Sequence, residues 1–245
     1  MFVSKVRMVG YICLSWFRII TVVWTAPDDV TFPPPVRSGG MGIFSGLQAR
    51  RDIESFEPRL LHWEVLGNIL WAACGLNRPD DATARTVPML TLPFPVTIYL
   101  LAEDGVWQYD ALGHRLTGVR NGDFRAFATA SAGHDGSISA YVKVISDGTP
   151  EHTGAPVVLL LIADQRSSLG GDVIYQQTAQ LDSRVKAALH AGHMAQNIQL
   201  AGSAEGIGVR AQYPPVSSEA LIRALEMPSE ADILLVLQLG YPAAR

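Results

Sequence analysis

The apolar run Val157–Ala163 places the strongest constraint on how this chain folds. It reads Val-Val-Leu-Leu-Leu-Ile-Ala and contains no polar side chain. A strand without a polar face is typical of the buried interior of a sheet, so the run predicts a central strand. Ile233–Leu239 predicts a second buried strand, which Gly240, Tyr241 and Pro242 close.

Helical periodicity appears on both sides of these strands. In Leu60–Cys74 the apolar residues recur every three to four positions, and Gly75 follows as a natural helix stop. Leu181–Ala204 predicts a long helix, and Ser217–Leu225 predicts a short one that begins at a serine cap. A further helix is predicted over residues 43–56.

Three short β-rich segments lie between the early helices and the central strand. They are Val96–Ala102, Gly105–Tyr109 and Arg115–Val119. Glu103 and Asp104 before Gly105 form a hairpin turn signal. Residues 128–155 are rich in Gly, Ser, Thr, Asp and His, and indicate a long loop or insertion. Helices, a meander, a strand, helices and a last strand together predict an α+β fold with one core.

Composition excludes several classes of protein. The chain has 245 residues, of which 48% are hydrophobic, whereas a disordered chain is poor in apolar residues. The net charge of −4 argues against a nucleic-acid-binding protein, which usually carries a basic excess. Two cysteines, Cys13 and Cys74, exclude a disulfide scaffold and a four-cysteine zinc site.

The first 26 residues differ from the rest of the chain. They contain Lys5, Arg7 and Arg18 but no acid, so the remaining residues carry a net charge of −7. A positive start, an apolar run from Met8 and a small-residue end at Ala26 are typical of a signal peptide. The segment from residue 8 to residue 26 would span about 28 Å as a helix, which also suits a membrane anchor. We therefore expect an exported (periplasmic) or membrane-anchored protein rather than a cytoplasmic one; a misassigned start or a buried strand pair is the alternative.

Residues 27–42 predict a linker between this segment and a domain at 43–245. The three prolines at 33–35 and the glycines at 39 and 40 favour an extended, exposed chain over a helix.

Four further motifs resemble the nitroreductase superfamily of flavin proteins, and within it the SagB-type (azoline dehydrogenase-like) branch. Leu70–Pro79 is similar to "LLWAAxGxNRP", Arg85–Pro88 to "RTAPS" and Gly105–Asp110 to "GVYxYD". Gly192–Gly208 is similar to "GxxxQNxxLAxxxxGLG", and the Gly-Tyr-Pro ending fits as well. The similarity runs from about residue 43 to the end of the chain.

The resemblance implies a three-layer α/β/α sandwich with a mixed, mainly antiparallel sheet. It also implies a homodimer with FMN at the subunit interface. The implied activity is ping-pong hydride transfer between a small-molecule substrate and the flavin, with NAD(P)H as a possible donor. The flavin carries the chemistry, and the protein supplies position and electrostatics.

The resemblance also assigns cofactor-binding residues. Arg50 and Arg51 match the phosphate-binding "RRSxR" motif, although Asp52 and Glu54 stand where that motif has a serine and a basic residue. Arg85 matches "RTAPS", but ungapped matching places Met89 and Leu92 at the positions of the serine and of a later flavin-binding asparagine. Glu205 and Gly206 match a segment whose backbone N–H groups face the flavin, and Arg245 is a candidate phosphate cation.

Two hypotheses follow. The chain is an FMN-dependent oxidoreductase without an evident acid or base side chain, or it is a non-catalytic dimeric scaffold or binding subunit that keeps the fold and has lost the flavin. Asp52, Glu54, Met89 and Leu92 favour the second hypothesis. His190 and His193 lie three residues apart on the long predicted helix, but no acidic or thiol partner is evident, so we interpret them as ordinary helix residues and predict no metal site.

Overall fold

One seven-stranded sheet organises the computed structural model, which describes residues 25–78, 80–81, 83–90, 93–129, 154–164, 173–212, 218–228 and 231–244. The strands are β1 (Val30–Thr31), β2 (Val96–Leu101), β3 (Gly105–Asp110), β4 (Arg115–Asn121), β5 (Val157–Asp164), β6 (Gly208–Gln212) and β7 (Ala231–Gly240). The helices are α1 (Ile43–Ala49), α2 (Trp63–Cys74), α3 (Arg125–Thr129), α4 (Val173–Ala204) and α5 (Ser218–Ala224). The strand order is β1-β4-β3-β2-β5-β7-β6, and all pairings among these strands are antiparallel.

The predicted central strand is confirmed. Strand β5 lies between β2 and β7, and its side chains alternate between two cores. Val157, Leu159 and Leu161 pack with α2 and α4 on one face, while Val158 and Leu160 pack with α5 on the other. Because both faces of the sheet are covered by helices, the chain has the predicted three-layer α/β/α architecture. The two faces also explain why the run needs no polar side chain.

Helix α1 is shorter than predicted, because it ends at Ala49 and not at residue 56. After it the chain is extended, and tertiary contacts hold it in that form. Ile53 lies against Gly208 so closely that a Cβ on that glycine would be 2.6 Å from Ile53 Cγ1. Phe56 is buried and forms a β-bridge with Pro242. These long-range contacts override the local helical pattern.

Part of the segment that we interpreted as a linker packs against the sheet. Strand β1 pairs with β4 at its edge, and Phe32 is buried in the core. The carbonyl oxygen of Asp28 accepts a hydrogen bond from Trp107 Nε1 at 3.0 Å. Asp29 Oδ1 accepts one from the backbone N–H of Gly118 at 3.0 Å. Residues 28–32 therefore lie at the edge of the sheet, where β1 pairs with β4.

Glycine is needed at position 75, the end of α2, because of a close contact and not because of an unusual backbone angle. Its φ is −67°, an angle that any residue adopts. A Cβ at this position, however, would lie 2.2 Å from Trp71 Cδ1. Trp71 in turn donates a hydrogen bond from Nε1 to the carbonyl oxygen of Leu76 at 2.9 Å. The indole ring occupies the space that a side chain at 75 would need.

The described residues contain no helix long and apolar enough to cross a membrane. Residues 1–24, which carry most of the predicted signal peptide or anchor, lie outside the described residues, as does most of the predicted insertion at 128–155.

Candidate functional site

The chain segment after α1 lies beside the long helix α4. Arg50 Nη1 donates to Gln199 Oε1 of α4 at 3.2 Å. The same nitrogen lies 3.3 Å from Asp52 Oδ1, so Asp52 forms an ion pair with the arginine that the resemblance assigned to a phosphate. Both side chains are accessible, with exposed fractions of 37% for Arg50 and 76% for Asp52. Such an exposed ion pair contributes at most about 1 kcal/mol and can be displaced by a stronger anion.

Arg51 and Glu54 are also exposed. The contact of Ile53 with Gly208 directs the segment 50–53 along the last turns of α4 toward the residues that follow this helix. The structure therefore brings Arg50 and Arg51 to the end of α4 that carries Glu205 and Gly206.

The turn at Glu205 and Gly206 is exposed and open. Gly206 has a φ of +72°, which favours glycine, and a Cβ there would meet no atom within 4 Å. Glu205 Oε1 accepts a hydrogen bond from Asn68 Nδ2 of α2 at 3.0 Å. Asn68 Oδ1 also accepts one from the backbone N–H of Val36, so Asn68 ties three segments together at this site.

The backbone N–H groups at this turn already have acceptors. Glu205 N–H donates to the carbonyl oxygens of Ala201 and Gly202, at 3.0 and 3.1 Å. Gly206 N–H donates to the Ser203 carbonyl oxygen at 3.3 Å, near the upper limit for a hydrogen bond. A ligand that accepted a hydrogen bond from the Gly206 N–H would therefore replace only this weak bond to Ser203.

Arg85 lies at the carboxyl end of α2. Its Nη1 donates to the Cys74 carbonyl oxygen at 2.8 Å, and its guanidinium stacks 4.6 Å from the ring centroid of Phe94. Cys74 follows Asn68 by six residues on the same helix, a rise of about 9 Å along the axis. These contacts of Arg85 involve none of Arg50, Arg51, Glu205 and Gly206.

The other assigned positions have different outcomes. Met89 is half-buried in the loop after Arg85. Leu92 and Arg245 lie outside the described residues, so their roles stay predictions.

The motif on α4 predicts no role for Asn197, whereas the structure gives it two contacts. Its Nδ2 donates to the carbonyl oxygens of Ala72 and Thr86, at 2.9 and 3.2 Å. It therefore joins α4 to the end of α2 and to the loop that follows Arg85. The signal was present, because Asn197 belongs to the Gln-Asn pair of the motif on α4, but its spacing does not reveal which carbonyl groups it reaches.

His190 has an internal role and His193 does not. His190 is fully buried, its Nδ1 lies 2.8 Å from the Lys186 carbonyl oxygen, and Nε2 accepts from the backbone N–H of Leu90 at 3.2 Å. Because both ring nitrogens are engaged by the backbone, neither is available to a metal in this conformation. His193, three residues further along α4, is exposed.

Two buried groups near Arg85 have perturbed acidities. Burial raises the pKa of the Cys74 thiol to about 12, although the neighbouring Arg85 acts in the opposite direction. Burial also raises the pKa of Tyr109. Cys74 is therefore an un-ionised thiol at neutral pH and a poor nucleophile.

Comparison with known proteins decides the family. The model of the nitroreductase family matches residues 47–241. This chain belongs to the nitroreductase family. The match covers α2, α4 and every strand except β1, so it includes Arg50, Arg51, Arg85, Glu205 and Gly206. No curated protein matches the sequence significantly.

Solved structures share the nitroreductase fold of this family member. A protein from Ralstonia eutropha JMP134, described as a putative nitroreductase, has a TM-score of 0.69 at 22% identity, with 89% of this chain and 91% of that chain covered. One from Anabaena variabilis ATCC 29413, with the same description, has a TM-score of 0.63 at 18% identity, covering 88% and 42% of the two chains. A chain of the Escherichia coli microcin synthetase McbBCD complex has a TM-score of 0.58 at 16% identity, covering 86% and 77%.

Proposed function

We propose that this nitroreductase-family protein is an FMN-dependent oxidoreductase of SagB-like type. The observation that carries the proposal is the convergence of two arginines and an open glycine turn at one end of α4, within a family that typically binds FMN. The SagB-like assignment is supported by the motifs at residues 70–79 and 192–208, and the fold is shared with a chain of the McbBCD complex.

The residues present fit FMN at this corner. Arg50 and Arg51 are accessible cations suited to a phosphate dianion, which competes well with the single exposed charge of Asp52. The open face at Gly206 gives a flat ligand access to the backbone, and Asn68 fixes the Glu205 carboxylate at its border.

Bound FMN would supply ping-pong hydride transfer, in which one substrate, such as NAD(P)H, reduces the flavin and a second small molecule reoxidises it. The side chains of the protein would hold the cofactor-binding residues in place. Asn68 and Gln199 orient Glu205 and Arg50, and Asn197 holds the end of α2 against α4.

A spectroscopic experiment tests the proposal. Protein purified with excess FMN and then desalted should be yellow, with the absorbance band of an oxidised flavin, and NAD(P)H should bleach it under anaerobic conditions. Arg50→Gln combined with Arg51→Gln should lose the colour, while Arg115→Gln, which removes an exposed arginine of β4, should keep it. A protein that desalts colourless would refute the flavin function.

One observation favours a second function, a non-catalytic dimeric scaffold or binding subunit. Asp52 already neutralises Arg50, and the backbone N–H groups of Glu205 and Gly206 already have acceptors within the chain. A folded dimer that stays colourless at every FMN concentration would support this function.

We also propose a homodimer. Its support is a row of exposed apolar side chains on α1, where Ile43, Phe44 and Leu47 have exposed fractions of 63%, 83% and 49%. Burying such a face between two copies removes apolar surface from water next to Arg50 and Arg51.

Export or membrane anchoring through residues 8–26 is the proposed localisation, and it is supported by the basic residues and apolar run at the start of the chain. Cell fractionation of the full chain tests it, since recovery in the cytoplasm alone would contradict the proposal.

A further inference from the structure

A cavity of about 350 Å³ lies at the carboxyl end of α2, between β2 and β3. The residue pairing of these strands ends at Tyr99 and Gln108, although β2 starts at Val96 and β3 continues to Asp110. The two strands therefore diverge at this end. The cavity occupies the gap, and Arg85 and Cys74 line it from the helix side.

Arg85 is a cation without an acidic partner among the described residues. Its Nη1 bonds one carbonyl oxygen, that of Cys74, and its Nε is buried without an acceptor in the described part of the chain. A guanidinium has five N–H donors, so most of its hydrogen-bonding capacity is unused here. A half-buried cation with unused donors at a cavity favours an anionic ligand.

The other residues that line the cavity indicate the chemical class of the anion. Phe94, Val96 and Ile98 supply apolar surface, and Thr97, Gln108 and Thr117 supply hydroxyl and amide groups. Asp110 also lines the cavity, and its carboxylate already accepts hydrogen bonds from Arg115 and from the backbone N–H groups of Leu112 and Gly113. This fixed negative charge disfavours a dianion such as phosphate. These lining residues suit a planar monoanion with an apolar body.

We infer that this cavity is a binding site for a small organic monocarboxylate, with Arg85 as the residue that binds its carboxylate. The volume suits a small molecule. The site does not depend on the proposed flavin function, because Arg50, Arg51, Glu205 and Gly206 take no part in its lining.

Calorimetric titration of the full chain with benzoate and hexanoate tests the inference, with benzamide and hexanamide as neutral counterparts. At least one carboxylate should bind saturably at one site per chain, and its amide should bind about tenfold more weakly or not at all. Arg85→Gln should weaken carboxylate binding by about tenfold or more, whereas Arg59→Gln, which removes an exposed arginine that does not line the cavity, should leave it unchanged.

A second variant protects the test against misfolding of the first. Gln108 is exposed on β3 at the cavity wall, so Gln108→Trp should narrow the cavity while circular dichroism and the melting temperature stay close to those of the parent protein. This variant should also lose carboxylate binding. Absence of binding by both carboxylates, equal binding of the amides, or unchanged binding by folded Arg85→Gln and Gln108→Trp would each overturn the inference. Because no step involves flavin, a colourless protein that still binds carboxylate would refute only the proposed oxidoreductase.

Discussion

The Nε2 atom of His190 accepts a hydrogen bond from the backbone N–H of Leu90 at 3.2 Å, across a separation of 100 residues. On its other side, the ring bonds the Lys186 carbonyl oxygen through Nδ1, so the neutral tautomer with the proton on Nδ1 satisfies both contacts. Phe94 packs edge-on against the same ring, with centroids 5.0 Å apart. His190 thereby attaches the loop that follows Arg85 to the middle of α4.

His190→Phe should destabilise the protein by about 1–3 kcal/mol, because it retains a ring but leaves the Leu90 N–H without its acceptor. Urea unfolding followed by circular dichroism measures this. His193→Phe is the control, since His193 is exposed one turn further along α4, and it should change the unfolding free energy by less than about 0.5 kcal/mol. Equal effects of the two substitutions would show that the Leu90 contact contributes nothing.

Asp52→Ser should tighten FMN binding about fivefold, because it removes the carboxylate that pairs with Arg50 and would repel a phosphate. Quenching of flavin fluorescence on titration with protein gives the affinity. Glu57→Gln is the matched control, because Glu57 forms a similar exposed ion pair with Arg59, at 3.9 Å. If Glu57→Gln tightened binding as much as Asp52→Ser, net charge and not the local pair would be responsible.

Stability should fall as the pH rises from 8 to 10, by about 1–2 kcal/mol from Cys74 alone. The folded protein keeps the thiol protonated because burial raises its pKa to about 12, whereas the unfolded chain loses the proton near the ordinary value. The unfolded state thus binds fewer protons above its own pKa, and the stabilisation is lost as the pH increases toward the folded value. Chemical unfolding at several pH values measures the slope. Cys74→Ala should flatten it, and an unchanged slope would contradict the assignment.

Two glycine-to-alanine substitutions should have opposite effects. Gly75→Ala would place a methyl group 2.2 Å from Trp71 Cδ1 and should cost about 1–3 kcal/mol. Gly192→Ala lies on an exposed position of α4 with no atom within 4 Å of the added carbon, and should stabilise the protein by about 0.5–1 kcal/mol. Thermal and urea unfolding distinguish the two, and destabilisation by both would contradict the packing described at α4.

Phe44→Glu should shift the protein from dimer to monomer, because Phe44 is 83% exposed at the centre of the apolar face of α1. Light scattering after size-exclusion chromatography reports the mass. Leu112→Glu alters another exposed apolar residue, 59% accessible in the turn between β3 and β4, and should leave the dimer intact. A wild-type protein that elutes as a monomer at micromolar concentration would refute the proposed homodimer.

The elements with a strong internal pattern were predictable from the sequence. Strand β5 and helix α2 carry their signals in their own residues, a two-sided apolar run and a helical stripe. Strand β6 was missed because Gly208–Gln212 contains Arg210 and Gln212, and its partner β7 lies far along the chain. Strand β1 was missed because it consists of two residues before three prolines, and only pairing with β4 defines it.

The candidate site was only partly predictable, because its contacts join residues that are far apart in the chain. Arg50 contacts Gln199 of α4, and Glu205 and Gly206 follow the same helix, but the role that the resemblance assigns to them with FMN stays a prediction. The same holds for Arg85, which contacts the Cys74 carbonyl oxygen and the Phe94 ring. Spacing along a chain does not encode the direction in which a loop side chain turns. The spacing of residues also does not predict that Asp52 pairs with Arg50, since that contact depends on where α1 ends.

The short strand β1 has a consequence for where this chain can be shortened. Without residues 25–32, the outer side of β4 would present unpaired N–H and C=O groups to other molecules, and the pocket of Phe32 would be empty. The Pro27 carbonyl oxygen covers Gly118 so closely that no side chain fits there, which makes this glycine a docking point for the preceding chain. Residues 25–32 therefore protect the edge of the sheet from pairing with another molecule. Proteolytic cleavage before residue 25 keeps this protection. Cleavage after Phe32 removes it and exposes a strand edge that is prone to self-association.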